Sequence, residues 1–187
     1  MSFNRVLEKY RKISFSERDK GDRFERLMQA YLQTDPKYAP QFKYVWLWNE
    51  FPSRSYLGGA DTGIDLVALT HTGDYWAIQC KCYQENATID KASVDSFLST
   101  SSRTFRDEVG KTQGFSQRLW ISTTNKWSSN ATDAIKNQEP PVTRLNLYDL
   151  VEAPVNWDVL EEGIHGESAT KDKHDPLPHQ EEAIEEA

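Results

Sequence analysis

Cysteine is scarce in this sequence and long apolar runs are missing. The two cysteines among 187 residues, Cys80 and Cys82, fall two positions apart in one predicted strand, where they are poorly placed to bridge each other. A disulfide framework is therefore excluded, and reduced thiols in a cytoplasmic protein are expected. No stretch approaches the roughly 20 consecutive apolar residues that span a bilayer. The N-terminus also lacks the apolar segment of a secretory signal, so no membrane partner is expected.

Two common site motifs are also missing. The four histidines and two cysteines show no CxxC or HxxxH spacing, which argues against a zinc site. No G-x-x-x-x-G-K-[ST] loop occurs, so this chain does not itself bind ATP in that way. Its chemistry must come from other residue types.

The sequence has no excess of basic residues. The net charge is −7, from 29 Asp/Glu and 22 Lys/Arg, which at first argues against nucleic acid. However, residues 161–187 hold nine of the acidic and two of the basic residues, leaving 20 of each for residues 1–160. The main part of the chain is therefore neutral, and a neutral domain can still hold a local basic groove.

Apolar periodicity predicts alternating helices and strands. A helical stripe that includes Phe24 and Leu27 predicts a helix at about 18–33, capped by Asp19 or Asp22. The further elements are strands at 41–51, 63–69 and 75–83, a helix at 90–102, a strand at 118–122, a helix at 130–137 and a strand at 142–147. Residues 105–113 either extend the helix before them or form a charged connection. The order αβββαβαβ predicts an α/β fold with a central mixed sheet of about five strands flanked by helices.

Residues 58–83 contain the most informative stretch. Strand alternation places Trp76 and Ile78 on one sheet face and Gln79 and Lys81 on the other. Adjacent polar positions on an otherwise apolar strand are costly to bury without a purpose. Asp65, on the preceding strand, adds an acid, whereas Asp61 lies among glycines and reads as a turn residue. This combination predicts a compact site for a divalent metal, a water and a phosphate.

Phosphodiester hydrolysis needs an oriented water and a stabiliser for the charge that grows on phosphate, and a metal ion held by carboxylates supplies both. Asp65, the Gln79 amide oxygen and the Cys80 backbone carbonyl are candidate ligands for Mg²⁺, with Mn²⁺ as a substitute. Lys81 then positions the attacking water or neutralises the phosphate. Glu25 faces either solvent or the sheet, and in the second case it adds a further carboxylate.

These residues resemble a known family. GADTGIDLVAL followed by YWAIQCKCY is similar to the Mrr-like branch of the PD-(D/E)XK nucleases, in which glutamine often replaces the second acid. The resemblance implies a restriction-endonuclease-like core over about residues 20–150 and a Mg²⁺-dependent deoxyribonuclease that cuts double-stranded DNA. It assigns Asp65 as the metal-binding aspartate and Gln79 and Lys81 as the last two motif positions. Glu25, in GDRFERLM, matches the helix glutamate of the family.

The C-terminal residues add a second resemblance. LPHQEEAI is similar to the segment that precedes the ATP-binding loop of superfamily 2 helicase-like motors, although it also fits an ordinary acidic helix start. Together with VWLWNEFP, it resembles the single-polypeptide type I (type ISP) restriction-modification enzymes. This implies a nuclease domain at 1–160, an acidic linker at 161–176 and the start of a truncated motor at 177–187. The implied partners are the motor, methyltransferase and target-recognition domains of one polypeptide, with ATP used only by the motor.

A basic cluster offers candidate DNA contacts. Arg103, Arg106 and Lys111 lie close together in sequence, and Lys126 follows the strand at 118–122. Nothing indicates base-specific readout, so the leading hypothesis is an endonuclease domain that a translocase delivers to DNA. Two alternatives remain open: an inactive DNA-binding or motor-docking module, and a modification-dependent Mrr-type nuclease.

Overall fold

The secondary structure alternates between helices and short strands. The computed structural model describes residues 2–58 and 63–163. The helices are α1 Ser2–Ile13, α2 Glu17–Leu32, α3 Lys91–Ser101, α4 Ser129–Ile135, α5 Leu147–Val151 and α6 Trp157–Glu161, with 3₁₀ turns at Trp48–Glu50 and Arg54–Leu57. The strands are β1 Phe42–Leu47, β2 Leu66–Thr70, β3 Tyr75–Lys81, β4 Thr88–Ile89, β5 Phe105–Arg106, β6 Thr112–Gln113, β7 Phe115–Ser122, β8 Lys126–Trp127 and β9 Val142–Leu145.

Five of these strands form the central mixed sheet in the order β1-β2-β3-β7-β9. β1, β2 and β3 pair antiparallel, with Leu66 opposite Ile78. β7 is parallel to β3, and β9 is parallel to β7, as is usual for strands joined through helices. The predicted central mixed sheet of about five strands is confirmed.

Strand alternation separates two hydrophobic layers. Ile78 and Cys80 pack in the layer that contains α1, α2, α5 and α6, where Phe24 and Trp157 are buried. Ala77 lies in the layer of α3 and α4, with Phe97 and Trp120. Gln79 and Lys81 alternate with Ile78 and Cys80, so they belong to the α3 side of β3. The predicted division of β3 into two faces is therefore correct.

Two local predictions were wrong, and one open alternative was decided by the structure. α2 begins at Glu17 because the Ser16 hydroxyl accepts a hydrogen bond from the Asp19 amide at 3.0 Å, so neither Asp19 nor Asp22 is the cap. Residues 105–113 do not extend α3, and the charged connection is the β5–β6 hairpin, in which the Asp107 carboxylate accepts from the backbone amides of Val109 and Lys111. β1 ends at Leu47, where a 3₁₀ turn replaces the predicted strand.

The C-terminal helices close the first layer. α5 and α6 bury Leu150, Trp157 and Leu160, and Trp157 packs on Phe3 of α1 with ring centroids 4.6 Å apart. Across residues 2–58 and 63–163, no helix combines the length and the apolarity needed to cross a membrane. The predicted linker beyond Gly163 and the predicted motor start lie outside the described residues.

Candidate active site

One cleft brings all four predicted site residues together. It has a volume of about 670 Å³, lies at the carboxyl end of β3 and is lined by Glu25, Asp65, Gln79 and Lys81. We call it the Asp65 cleft. Its other lining residues come from α2, from the turn after β1, from the segment before β2 and from α3: Arg18, Gly21, Asp22, Arg26, Leu47, Trp48, Asn49, Gly63, Ile64 and Ser96.

The backbone fixes Asp65 between two strands. Its amide donates to the Ile78 carbonyl at 2.9 Å, and its carbonyl accepts from the Trp48 amide at 2.8 Å. Its carboxylate Oδ2 accepts from the Cys80 amide at 2.9 Å, which fixes the side chain against β3. Gly63, with φ of 80°, precedes it so close to α3 that a Cβ atom would lie 3.0 Å from the Ser96 hydroxyl. The approach to Asp65 therefore requires glycine at position 63.

Glu25 and Asp65 form a carboxyl pair. Their side chains share a hydrogen bond, which requires a proton on one of them because ionised carboxylates only accept. Burial, together with the charge of Asp65, raises the pKa of Glu25 to about 9. Burial also raises the pKa of Asp65, although the hydrogen bond from Glu25 and the Cys80 amide oppose the shift. Both shifts favour a proton on the pair, and a cation that binds there would displace it.

Gln79 is buried with an unpaired oxygen. The side chain is only 2% exposed, and its Oε1 atom has no hydrogen-bond partner among the described residues. A buried acceptor without a partner costs about 1–3 kcal/mol, so such atoms are rare in native proteins. The Oε1 atom is thus an acceptor without a protein partner in the cleft that also contains the carboxyl pair.

Lys81 is the last residue of β3 and is half-buried at the cleft wall. The Thr123 amide donates to its carbonyl at 3.2 Å, which fixes the backbone, while its side-chain charge acts on both Glu25 and Asp65. The side chain forms no ion pair within residues 2–58 and 63–163. Its ammonium group therefore remains available to a negatively charged ligand.

The oxygen atoms of this cleft fit a hard divalent cation. In the described part of the chain, no three His, Cys, Asp or Glu side chains are grouped to hold a metal, so binding would depend on fewer acids. Glu25 and Asp65 offer carboxylates, and Gln79 offers its unpaired amide oxygen. The Cys80 amide points to Asp65, and the carbonyl of the same strand residue points to that same side. Mg²⁺ accepts such oxygen ligands and retains several waters.

A family comparison identifies the type of domain. The family Mrr_cat_2, described as a restriction endonuclease, matches residues 33–167 and therefore most of the chain. The chain belongs to this restriction endonuclease family. The match begins after α2, so Glu25 lies outside the matched residues and joins the site only through the tertiary structure.

Two solved structures are similar to this Mrr_cat_2 domain. One is the ATP-dependent type ISP restriction-modification enzyme LlaBIII bound to DNA, with a TM-score of 0.58 and 28% identity over 87% of this chain and 10% of that chain. The other is the MspJI restriction endonuclease in complex with a 27-mer oligonucleotide, with a TM-score of 0.45 and 18% identity over 78% and 29% of the two chains. No curated protein matches significantly. The chain spans about a tenth of LlaBIII, and the predicted resemblance to the Mrr-like type ISP group is confirmed.

The predicted DNA-contact residues lie away from the Asp65 cleft. Phe105 of the β5–β6 hairpin packs on Tyr75 and Phe115, the first residues of β3 and β7. The hairpin, with Arg106 and nearby Lys111 and Arg103, is thus at the opposite end of the sheet, about 20 Å along β3 from Lys81.

Lys126 lies in β8, which pairs with β4 beyond the carboxyl ends of the central strands, and it does not line the cleft. Asp61 falls within residues 59–62, outside the described residues.

Several residues of the cleft were not predicted from the sequence. Arg18, Asp22 and Arg26 occur at spacings of four on α2, so they share a helix face, and that face also contains Glu25. The spacing was visible in the sequence, but the apolar stripe alone did not show which polar edge of α2 faces the sheet. Trp48 and Asn49 entered the cleft because β1 ends before them.

Proposed function

We propose that this Mrr_cat_2 domain is a metal-dependent DNA endonuclease that hydrolyses phosphodiester bonds of double-stranded DNA without reading sequence itself. The observation that carries the proposal is the buried, unpaired Oε1 atom of Gln79 in the same cleft as the Glu25–Asp65 pair. A fold without a ligand there would gain stability from an apolar residue at position 79. A cation gives that oxygen a partner and the two carboxyl groups a counter-charge.

Each residue has a role in this proposal. Mg²⁺, or Mn²⁺ in its place, would be held by Asp65, Glu25, Gln79 and the Cys80 carbonyl. When bound, such an ion orients water and neutralises charge on the phosphate. Lys81 contributes a free ammonium group at the cleft wall, where it stabilises the negative charge that develops on the phosphate oxygens. Asp65 is locked by backbone contacts, so its carboxylate is preorganised.

We further propose that a translocase delivers the domain to its substrate. The support is the similarity to LlaBIII, an ATP-dependent restriction-modification enzyme that is about ten times longer than the matched segment. The motor, methyltransferase and target-recognition functions would then belong to the same full-length polypeptide, in the cytoplasm, and only the motor would consume ATP. The neutral charge of residues 1–160 fits such delegation, because a neutral domain binds DNA weakly on its own.

Plasmid nicking tests the endonuclease proposal. The full 187-residue chain is incubated at high concentration with supercoiled plasmid in Mg²⁺ or EDTA, beside the variants Asp65→Ala and Lys81→Ala. We expect nicking only by the wild type in Mg²⁺, and a Mg²⁺-dependent rise in melting temperature that Asp65→Ala abolishes. Lys136→Ala, an exposed lysine at the end of α4, is the matched control and should nick normally.

The outcomes separate the alternatives. Equal nicking by the wild type, Asp65→Ala and Lys81→Ala would overturn the mechanism. DNA binding without nicking, even in the full-length enzyme, would identify an inactive DNA-binding or docking module. Nicking that requires modified bases would identify a modification-dependent nuclease.

A further inference from the structure

We propose that α2 is the DNA-backbone contact of this domain: one DNA strand runs along the helix face over Gly21, between Arg18 and Arg26, and thereby reaches Gln79 and Lys81. This inference rests on the proposed nuclease function, but it concerns the path of the substrate. Arg103, Arg106 and Lys111, the basic residues suggested by sequence, then lie outside the central contact.

The first support is the geometry of one helix face. Arg18 and Arg26 are eight residues apart, or two turns, and both line the Asp65 cleft. Eight residues correspond to about 12 Å along the helix axis. Phosphates of one DNA strand advance about 3.4 Å along the duplex axis per nucleotide, so the two guanidinium groups can contact phosphates three or four nucleotides apart.

The second support is the pairing of the cations. On α1 and α2, five basic side chains form ion pairs with nearby carboxylates: Arg5, Lys9, Arg11, Lys20 and Arg23. Arg18 and Arg26 are exposed and form no ion pair in the part of the chain that the structure describes. Asp22 lies between them on the same helix face, so the three side chains together present a net positive charge to the cleft, where arginine favours bidentate contact with phosphate.

The third support is Gly21, which lies between the two arginines on the cleft wall. Glycine within a helix costs about 1 kcal/mol relative to alanine, so it needs a reason. A Cβ atom at position 21 would meet nothing within 4 Å, and φ does not lie in the left-handed region. Neither packing nor backbone conformation requires glycine here, whereas close approach of a ligand backbone does.

The position of Glu25 connects this path to the proposed chemistry. Glu25 lies one helical turn after Gly21 and contacts Asp65 at the carboxyl end of β3. A DNA strand that passes over Gly21 therefore also reaches the carboxyl pair and Lys81, which line the same cleft. Arg18 and Arg26 act as positioning residues, since they hold the phosphates that flank the reacting one.

The salt dependence of DNA binding tests the arginine contacts. A short fluorescein-labelled DNA duplex is titrated with the full chain in EDTA at several low salt concentrations. For the Arg18→Ala/Arg26→Ala double variant we expect weaker binding and a slope of log K against log salt reduced by about 1.8, since each lost phosphate contact contributes about 0.9. Arg23→Ala is the matched control, because Arg23 pairs with Asp19 and lines a different cleft.

Two glycine substitutions test whether the DNA strand passes over Gly21. Gly21→Gln should raise or preserve the melting temperature, because it removes a helical glycine, yet weaken DNA binding about tenfold or more through loss of charge-assisted contacts. Gly114→Gln is the control, since Gly114 also has nothing within 4 Å and no left-handed φ. It should leave binding unchanged. A merely structural Gly21 would show the reverse pattern, with a lower melting temperature and normal binding.

The outcomes distinguish this path from the nuclease function. The path would be overturned if the double arginine variant kept the wild-type slope of log K against log salt, or if Gly21→Gln kept the wild-type affinity for DNA. Plasmid nicking by the wild type would in that case still support the nuclease function. If the salt slope of the double arginine variant is reduced as expected but Asp65→Ala nicks normally, the path is supported and the proposed chemistry fails. Absence of DNA binding by the wild type at the lowest salt would overturn the path.

Discussion

Gln79 and Arg118 are two buried polar side chains on neighbouring strands and on the same face of the sheet, but they differ in their hydrogen bonds. They are 2% and 1% exposed. The Arg118 guanidinium donates to five protein acceptors: the hydroxyls of Ser101 and Ser102, the carbonyls of Leu98 and Pro140, and the Gln138 side chain. The Gln79 Oε1 atom, in contrast, has no partner among the described residues.

This difference separates a structural region from a functional one. A fully hydrogen-bonded buried polar group joins the elements around it, and Arg118 connects β7 to α3 and to the segment before β9. A buried acceptor without a partner lowers stability unless a ligand binds it. Burial alone therefore does not locate the site, and Gln79 is distinguished because its unpaired atom lies in the cleft that also contains Glu25, Asp65 and Lys81.

The largest expected effect is on catalysis. Gln79→Leu removes the unpaired oxygen, so we expect plasmid nicking in Mg²⁺ to fall about 100-fold or more, on the scale of losing one preorganised polar contact. The melting temperature should stay the same or rise, because a buried acceptor without a partner disappears. Gln117→Leu, at the other end of the sheet, is the control for both assays and should nick like the wild type.

The converse effect is expected at Arg118. Arg118→Met leaves the serine hydroxyls and the Pro140 carbonyl without their donor, which should cost about 2 kcal/mol or more and lower the melting temperature by about 4–8 °C. Nicking well below that temperature should not change. Arg144→Met, an exposed position on the next strand, should lower stability by less than about 1 kcal/mol, corresponding to its contact with Trp127. Lost nicking in folded Arg118→Met would contradict the separation of roles.

A smaller effect is expected from pH. Burial and Asp65 raise the pKa of Glu25 from 4.5 to about 9, so between these values the folded protein holds a proton that the unfolded chain releases. In EDTA, stability should therefore be greatest below about pH 4.5 as far as this group is concerned, and fall as pH rises toward 9. In thermal melts across this range, the melting temperature of Glu25→Gln should depend less on pH than that of the wild type. The pH dependence of Arg118→Met should be unchanged. If the melting temperature of Glu25→Gln depends on pH as in the wild type, the titrating group is not Glu25.

The smallest effect is expected at the β5–β6 hairpin. Arg103, Arg106 and Lys111 remain proposed DNA contacts, but they lie far from the Asp65 cleft, and the Arg103 guanidinium already contacts the Leu57 carbonyl. Their combined replacement by alanine should reduce the salt slope by less than about 0.9, the value for one phosphate. A larger reduction than in the Arg18→Ala/Arg26→Ala variant would show that DNA lies mainly across the hairpin.

The strand part of the site was predictable from sequence because neighbouring residues of a strand have a fixed geometry. Alternation alone put Gln79 and Lys81 on one face of β3, and the adjacent strand brought Asp65 beside them. The choice between a longer helix and a charged connection at residues 105–113 stayed open, because the Asp107 side chain stabilises a turn by hydrogen bonds that charge patterning does not reveal.

The sequence by itself determined the main strands of the mixed sheet and the placement of Gln79 and Lys81 on one strand face, since these follow from local periodicity, while the proposed roles of Asp65, Gln79 and Lys81 came from the family resemblance. Only the tertiary structure decided that Glu25 meets Asp65, that Gln79 lacks a hydrogen-bond partner and that Arg18, Gly21 and Arg26 line the same cleft. Each of these facts depends on how α2 packs across the end of the sheet. Such packing is set by contacts between residues distant in sequence, which no local pattern records.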